Sequence, residues 1–223
     1  VLKWALSTFG DSFAIATSFQ KEGMVIVDMA VRLNPRVRVF TLDTGRLPDE
    51  TYLMMDAVKK RYAIDVEVVR PDPAEVADMV SSRGVDLFYE SPDNRRLCCE
   101  IRKVRPLERK LAGLEAWAVG LRRDQSCERA ETPKVQSLDG RVKISPLADW
   151  DRSRVDAYVS RRKLPVHPLY TRGFATIGCA PCTRSVKPGE DERAGRWWWE
   201  QNESKECGIH VTAAGLVRRS GLH

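Results

Sequence analysis

Cys98 and Cys99 stand side by side in RRLCCEIRKVRP, which runs from Arg95 to Pro106. Adjacent cysteines make a poor disulfide. Their Cα atoms are about 3.8 Å apart across a trans peptide, and disulfides prefer roughly 4.4–6.8 Å. Cys179 and Cys182 form a second pair, C-x-x-C, in IGCAPCTR. Four thiols in two pairs suit a zinc ion or a [4Fe–4S] cluster. Structural zinc sites space paired ligands by two to four residues, so that both reach one ion. Neighbouring residues point apart and fit two separate iron corners better, so the spacing favours the cluster. Two cysteines remain. Cys127 lies among arginines in GLRRDQSCER, and Cys207 lies in SKECGIH near the C-terminus. Lys205 and His210 near Cys207 suit a nucleophilic thiolate, whereas Glu206 opposes one. The bland alternatives are buried inert thiols for the pairs and a spare thiol for the tail.

These residues need a scaffold. The chain has 223 residues, 43% of them hydrophobic, enough for one sizeable core. The first residue is Val1, which leaves the natural start open. The most apolar run, GMVIVDMAV, is interrupted by Asp28 and is too short to span a bilayer. The expectation is a soluble, cytoplasmic protein with no membrane partner. Six cysteines in a chain of this length point to metal or redox chemistry in a reducing compartment rather than to a secreted disulfide scaffold. Net charge is +6, and residues 91–130 hold ten Lys/Arg against six Asp/Glu. A solvated basic face is the plain reading. An anionic small molecule, an acidic protein or nucleic acid are the functional ones.

FAIATSF (13–19), VRVFTL (37–42), VEVV (66–69) and EAWAVG (115–120) read as short strands. EGMVIVDMAVRL and DETYLMMDAVKKRY, between the first three, carry apolar residues at helical steps. Alternating strands and helices predict a doubly wound, mostly parallel α/β sheet. A later helix is expected in DWDRSRVDAYVSRRKLP, capped by Asp149 or Asp151, and a last one in EDERAGRWWWEQ. The domain is expected over 1–204, with a mobile tail over 205–223. In such sheets ligands sit beyond the carboxyl ends of the strands. Two strand ends stand out there. TSFQKEG lacks the Gly-Lys-Ser/Thr ending of a Walker A loop, yet it offers backbone N–H groups and a helix start to a phosphate. LDTGRLPDET places an acid, a hydroxyl and a glycine directly after a strand. Either stretch could equally be an ordinary turn.

Taken together, TSFQKEG, LDTGRLPDETY, CCEIRKVRPL, GLRRDQS, GCAPCTR, PGEDERAGRWWWE and ECGIH, in this order, resemble the iron–sulfur adenylyl-sulfate (adenosine 5′-phosphosulfate) reductases. That branch shares a family with the phosphoadenylyl-sulfate reductases, and the resemblance runs from about residue 5 to 210. It implies an adenine-nucleotide (PP-loop) fold and one [4Fe–4S] cluster on Cys98, Cys99, Cys179 and Cys182. It implies Cys207 as nucleophile and Lys103 between cluster and substrate. Arg193 and Arg196 match the pair that binds the phosphosulfate. The adenosine crevice maps to the phosphate loop (Ser18, Phe19, Gln20, Lys21, Glu22, Gly23), to Leu42, Asp43, Thr44 and Gly45, and to the loop from Gly120 through Arg122 and Arg123 to Arg129. Cys127 falls where the family pattern has no cysteine and is treated as incidental.

The implied reaction is thiol-dependent reduction of adenylyl sulfate to sulfite and AMP, with thioredoxin or glutaredoxin as reductant. Homo-oligomerisation is left open. The four cluster cysteines mark the branch that uses the nucleotide without a 3′-phosphate, and Glu22 beside Lys21 is expected to disfavour that extra phosphate. Three rivals are weighed. A 3′-phosphoadenylyl-sulfate reductase has the same core. A cluster-bearing tRNA thiolation enzyme fits the phosphate loop and the charge but not ECGIH. A zinc-stabilised nucleic-acid module fits the basic pI of about 9.1, with Trp197, Trp198 and Trp199 near Arg193 and Arg196; nucleic acid is nevertheless not expected as a partner.

Overall fold

The computed structural model describes residues 1–200. Cys207 and the tail expected over 205–223 lie outside the described residues. Six strands form one sheet: β1 (Phe13–Ala16), β2 (Arg38–Leu42), β3 (Val66–Val69), β4 (Ala116–Ala118), β5 (Val135–Leu138) and β6 (Arg141–Ile144). Their order is β3-β2-β1-β4-β6-β5, and every pairing except β5 with β6 is parallel. The direction of winding reverses between β1 and β4. In a doubly wound sheet this is the switch point, where the loops leaving two neighbouring strands diverge and open a crevice.

The central strands β1, β2 and β4 are buried on both faces, as expected where helices cover both sides. Side chains alternate along them. Phe13, Ile15, Val39, Ala116 and Ala118 enter one core, with helices α1 (Leu2–Phe9), α2 (Lys21–Leu33), α3 (Asp49–Tyr62) and α7 (Arg152–Arg162). Ala14, Phe40 and Trp117 face the opposite way, toward Leu111 and Leu114 at the end of α6 (Arg105–Leu111). Three helices of the first layer meet at Asp28, which is buried in α2. Its carboxylate accepts from Tyr62 (3.1 Å), Tyr158 (2.8 Å) and Arg162 Nε (3.3 Å). A buried carboxylate needs such partners. Asp151 caps α7 by accepting the Arg154 N–H at 2.7 Å.

A third apolar cluster lies apart from the sheet. It joins Met79 of α4 (Pro73–Arg83), Leu87, Phe88, Ile101, Trp197 and the four paired cysteines. Cys98 and Cys99 end α5 (Pro92–Cys99), and the chain then runs through one π-helical turn, Glu100–Val104, into α6. Such turns carry an extra residue per turn and recur at functional sites.

One expectation fails. The stretch expected as a helix in EDERAGRWWWEQ is a series of turns over 190–200. Gly195 packs so closely on Arg184 that a Cβ there would meet the Arg184 carbonyl oxygen at 2.3 Å. The Gly195 carbonyl accepts from the Arg184 N–H, Thr183 and Arg196 form an antiparallel bridge, and Trp197 adopts a left-handed φ of 43°. Pairing with the C-x-x-C segment therefore takes the backbone groups that a helix would need. The β5–β6 hairpin lies beyond the strands read from the sequence, although Asp139-Gly140, both at positive φ, is a strong two-residue hairpin signal.

Candidate functional site: a nucleotide-sized cleft against a cysteine cavity

A cleft of about 230 Å³ opens at the carboxyl ends of β1, β2 and β4, on the switch point. The loop after β1 leads into α2, whose N-cap residue Gln20 makes no side-chain cap. The first-turn N–H groups of α2 therefore start at the cleft without the usual capping oxygen, a setting that suits an anion. Gln20 instead braces the far wall. Its Oε1 accepts from the Ile177 N–H at 2.9 Å, and its Nε2 donates to Ser18 Oγ at 3.0 Å. Two glycines let the walls close on each other. A Cβ on Gly23 would lie 2.5 Å from Thr17 Oγ1, and one on Gly120 would lie 2.9 Å from Glu22 Cβ.

Of the residues expected around the substrate, Ser18, Gln20, Glu22, Gly23, Leu42, Thr44, Lys103, Gly120, Arg129, Arg193 and Arg196 line this cleft. Six do not. Phe19 is fully buried, with its backbone at a φ of 58°, so the loop tolerates a strained turn to anchor the ring in the core. Lys21 turns away to Asp156 (2.7 Å) and packs over the Tyr170 ring. Asp43 is buried and organises its own loop, accepting from Gly45 N–H (2.9 Å), Tyr52 (2.9 Å) and Arg70 (3.3 Å). Its contact helps push the Tyr52 phenol up to about 12, after burial as the main cause. Gly45 turns at a positive φ outside the cleft. Arg122 is committed to Glu22 (2.9 Å) and Asp124, and Arg123 donates to the Thr132 carbonyl.

The cleft has walls that sequence reasoning did not single out: Thr41, Trp117, Tyr170, Thr176 and Gly178, while Gln125 joins them from the expected 120–129 loop. Most come from strand interiors or from the irregular segment after α7, which has no periodic pattern.

Beside the cleft, Cys98, Cys99, Cys179 and Cys182 line a second, small cavity together with Arg46, Arg95, Arg102 and Lys103. All four cysteines are buried and none forms a disulfide. Among the described residues, no three His, Cys, Asp or Glu side chains meet as ligands of one metal ion. Burial raises the Cys98 thiol pKa, opposed chiefly by the Arg102 charge. Burial, with Cys179 next, pushes Cys182 up to about 12. Two residues belong to both cavities: Lys103 and Cys179. Thr44 adds a link, its Oγ1 lying 3.3 Å from Cys179 Sγ. Arg196 is buried, and its Nε has no hydrogen-bond partner among the described residues. A Cβ on Gly178 would collide with its guanidinium at 2.1 Å, so the glycine makes room for it. Cys127 is exposed on a turn away from both cavities.

Fold and cleft together define a nucleotide-binding α/β protein of the PP-loop-like kind. Residues 12–185 match the phosphoadenosine phosphosulfate reductase domain, and the chain belongs to that family. The adenosine 5′-phosphosulfate reductase of Allochromatium vinosum is 48% identical over 202 residues, 90% of this chain and 79% of its own length. That of Pseudomonas aeruginosa is 44% identical over 228 residues, 99% of this chain and 84% of its own. A phosphoadenylyl-sulfate reductase from Candida auris, solved as a phosphate complex, superposes with a TM-score of 0.69 at 27% identity. It covers 83% of this chain and 88% of that one. Yeast FAD synthetase shares the fold alone, with a TM-score of 0.56, 15% identity, and 82% and 64% coverage. Among the described residues no helix is long and apolar enough to cross a membrane.

Proposed function

We propose that this protein reduces adenosine 5′-phosphosulfate to sulfite and AMP, with a thiol protein of the thioredoxin or glutaredoxin kind as reductant. The observation that carries the reading is the junction at Lys103: one cation borders both a nucleotide-sized cleft and a cavity of four cysteines. The relatives' names supply the substrate.

In this reading Cys207 thiolate attacks the sulfur of the bound nucleotide. The S–O bond to the phosphate breaks, AMP leaves, and Cys207 carries SO₃⁻ as a thiosulfonate. A reductant thiolate then attacks the Cys207 sulfur and sulfite leaves. The reductant's second thiol resolves the mixed disulfide, so the dithiol supplies both electrons. An anionic nucleophile approaching an anionic sulfonyl group meets about 4 kcal/mol of repulsion at 4 Å and an effective dielectric of 20. Lys103, Arg193 and Arg196 border the cleft and can offset it. The buried Arg196 Nε awaits an acceptor that a phosphosulfate oxygen would supply.

Cys98, Cys99, Cys179 and Cys182 would hold a [4Fe–4S] cluster. Their convergence on one cavity lined by four cations fits an anionic thiolate cluster. When bound, such a cluster supplies fixed charge beside Lys103 and joins the two cysteine segments. Cys98 and Cys182 would then be held as thiolates, the form that burial opposes.

The 3′-phosphorylated nucleotide is expected to be the poorer substrate. Glu22 borders the cleft, but its charge is already shared with Arg122 and Gln125, so its repulsion is weaker than the bare Lys-Glu dipeptide suggests. Arg122, in turn, is not at liberty to receive an extra phosphate. One hydrogen bond to a charged group is worth about 1.5–3 kcal/mol, so a ten- to hundredfold preference in kcat/KM is expected. Parallel assays of both nucleotides with one thioredoxin test this through AMP or adenosine 3′,5′-bisphosphate release. Equal rates, or faster turnover of the phosphorylated nucleotide, would overturn the branch. Pyrophosphate release from ATP would point to a thiolation enzyme instead.

A further inference from the structure

The amide of Gln125 borders the cleft and uses all of its hydrogen-bonding capacity on residues at the cleft and directly behind it. Its Oε1 accepts from the Arg122 backbone N–H at 3.0 Å and from Arg129 Nη1 at 2.6 Å. Its Nε2 donates to Glu22 Oε1 at 3.2 Å and to the Gly120 carbonyl at 3.4 Å. Two donors on one side and two acceptors on the other fix which way the amide points. The partners come from three directions: the start of α2, the end of the strand β4, and the loop that carries Arg129. Arg129 is buried and also borders the cleft.

We infer that Gln125 is a positioning residue for nucleotide binding: it locks the loop after β4 onto the start of α2 and holds the Arg129 guanidinium against the cleft. This rests on the nucleotide-cleft reading above and deepens it. A long guanidinium next to a small cleft has many rotamers, and only those facing the cleft help to bind an anion. A short charge-assisted hydrogen bond donated to an amide oxygen, in an amide itself fixed by three others, selects among them. A side chain that merely filled space would need shape, not a polar end.

The test is a double-mutant cycle read in AMP affinity by calorimetry. Gln125→Met keeps length and bulk but removes all four hydrogen bonds. It is expected to weaken AMP binding about tenfold in the natural background. In an Arg129→Met background the same change is expected to have less than about a twofold effect, because the residue through which it acts is gone. Thermal unfolding checks that the variants fold. Should Gln125→Met fail to fold, Gln125→Asn, which shortens the amide's reach by one methylene, takes its place in the cycle. Unchanged AMP affinity in the single variant would overturn the inference. So would an equal loss in both backgrounds, which would mean Gln125 acts without Arg129. A wild-type protein that does not bind AMP would remove the nucleotide reading itself, and this inference with it.

Discussion

The two halves of the site are built on different principles. The cleft belongs to the sheet. Its floor is made by loops leaving β1, β2 and β4, each fixed by a strand whose side chains alternate between two cores, and the irregular segments around 170–179 and 192–197 close it from the cysteine side. The cysteine cavity belongs to no sheet. α5, the π turn and the segment 179–200 are brought together across long sequence distances. Arg95 pairs with Glu200 at 2.8 Å with both side chains buried, Tyr89 donates to the Pro181 carbonyl, Trp199 Nε1 donates to Phe88 O, and the Ala180 N–H donates to Arg46 O. The cleft half would stand on its core, whereas the cysteine half depends on polar stitches and on whatever the four thiols hold.

Substitutions can set one half against the other. The largest effect is expected from Cys98→Ser or Cys182→Ser. Each removes one of the four proposed ligands, so iron content and brown colour should fall away and turnover should drop by more than about a hundredfold. AMP binding in the cleft should persist. Cys127→Ser, on an exposed turn, should change neither iron nor turnover. Iron analysis of the three proteins decides it, and a colourless Cys127→Ser beside a brown Cys98→Ser would refute the ligand set.

Next in size is Arg95→Met. Breaking a buried ion pair leaves the Glu200 carboxylate without its main partner and commonly destabilises by about 3–5 kcal/mol. Hydrogen exchange should speed up in 87–104 and 179–200 while amides of β1, β2 and α2 stay protected. Uniform loss of protection would show that the two halves are one cooperative unit.

The smallest effect concerns the cleft half. His167 is fully buried, its Nε2 lies 3.1 Å from Thr51 Oγ1, and its Nδ1 accepts the Leu169 N–H. Burial lowers its pKa, with Glu50 opposing weakly. Below the ordinary value near 6.5 the unfolded chain takes up a proton that the folded chain refuses. Stability therefore falls as pH drops from that value toward the lowered one, by at most about 1.4 kcal/mol per pH unit. In His167→Gln this slope should vanish from unfolding curves between pH 7 and 5, and an unchanged slope would assign it elsewhere.

The same contrast explains what was legible in the sequence. Strands β1 to β4, helices α2, α3 and α7 and the cleft position follow from periodicity and from loops after strands, because local pattern decides them. The two cysteine pairs were legible as spacing, since a pair of neighbours is unusual whatever the fold, and the structure gathers all four on one cavity. The fate of EDERAGRWWWEQ was not, because its backbone pairs with 183–184, outside the stretch whose own periodicity suggested a helix. Lys21 and Arg122 have the look of phosphate ligands in the sequence, but Asp156, Glu22 and Asp124 hold them. Charge pairing across a hundred residues or more, as for Lys21 with Asp156 and Arg122 with Glu22, leaves no trace in a local motif.

The central claim is that the reduction proceeds through a covalent intermediate on Cys207, which lies outside the described residues. Intact-mass and peptide mass spectrometry after incubation with adenosine 5′-phosphosulfate and no thiol reductant test it directly. The account predicts a single SO₃ adduct on Cys207, absent from Cys207→Ser and released as sulfite when thioredoxin is added. Sulfite release by Cys207→Ser at a near-normal rate, or an adduct on Cys127 instead, would contradict it.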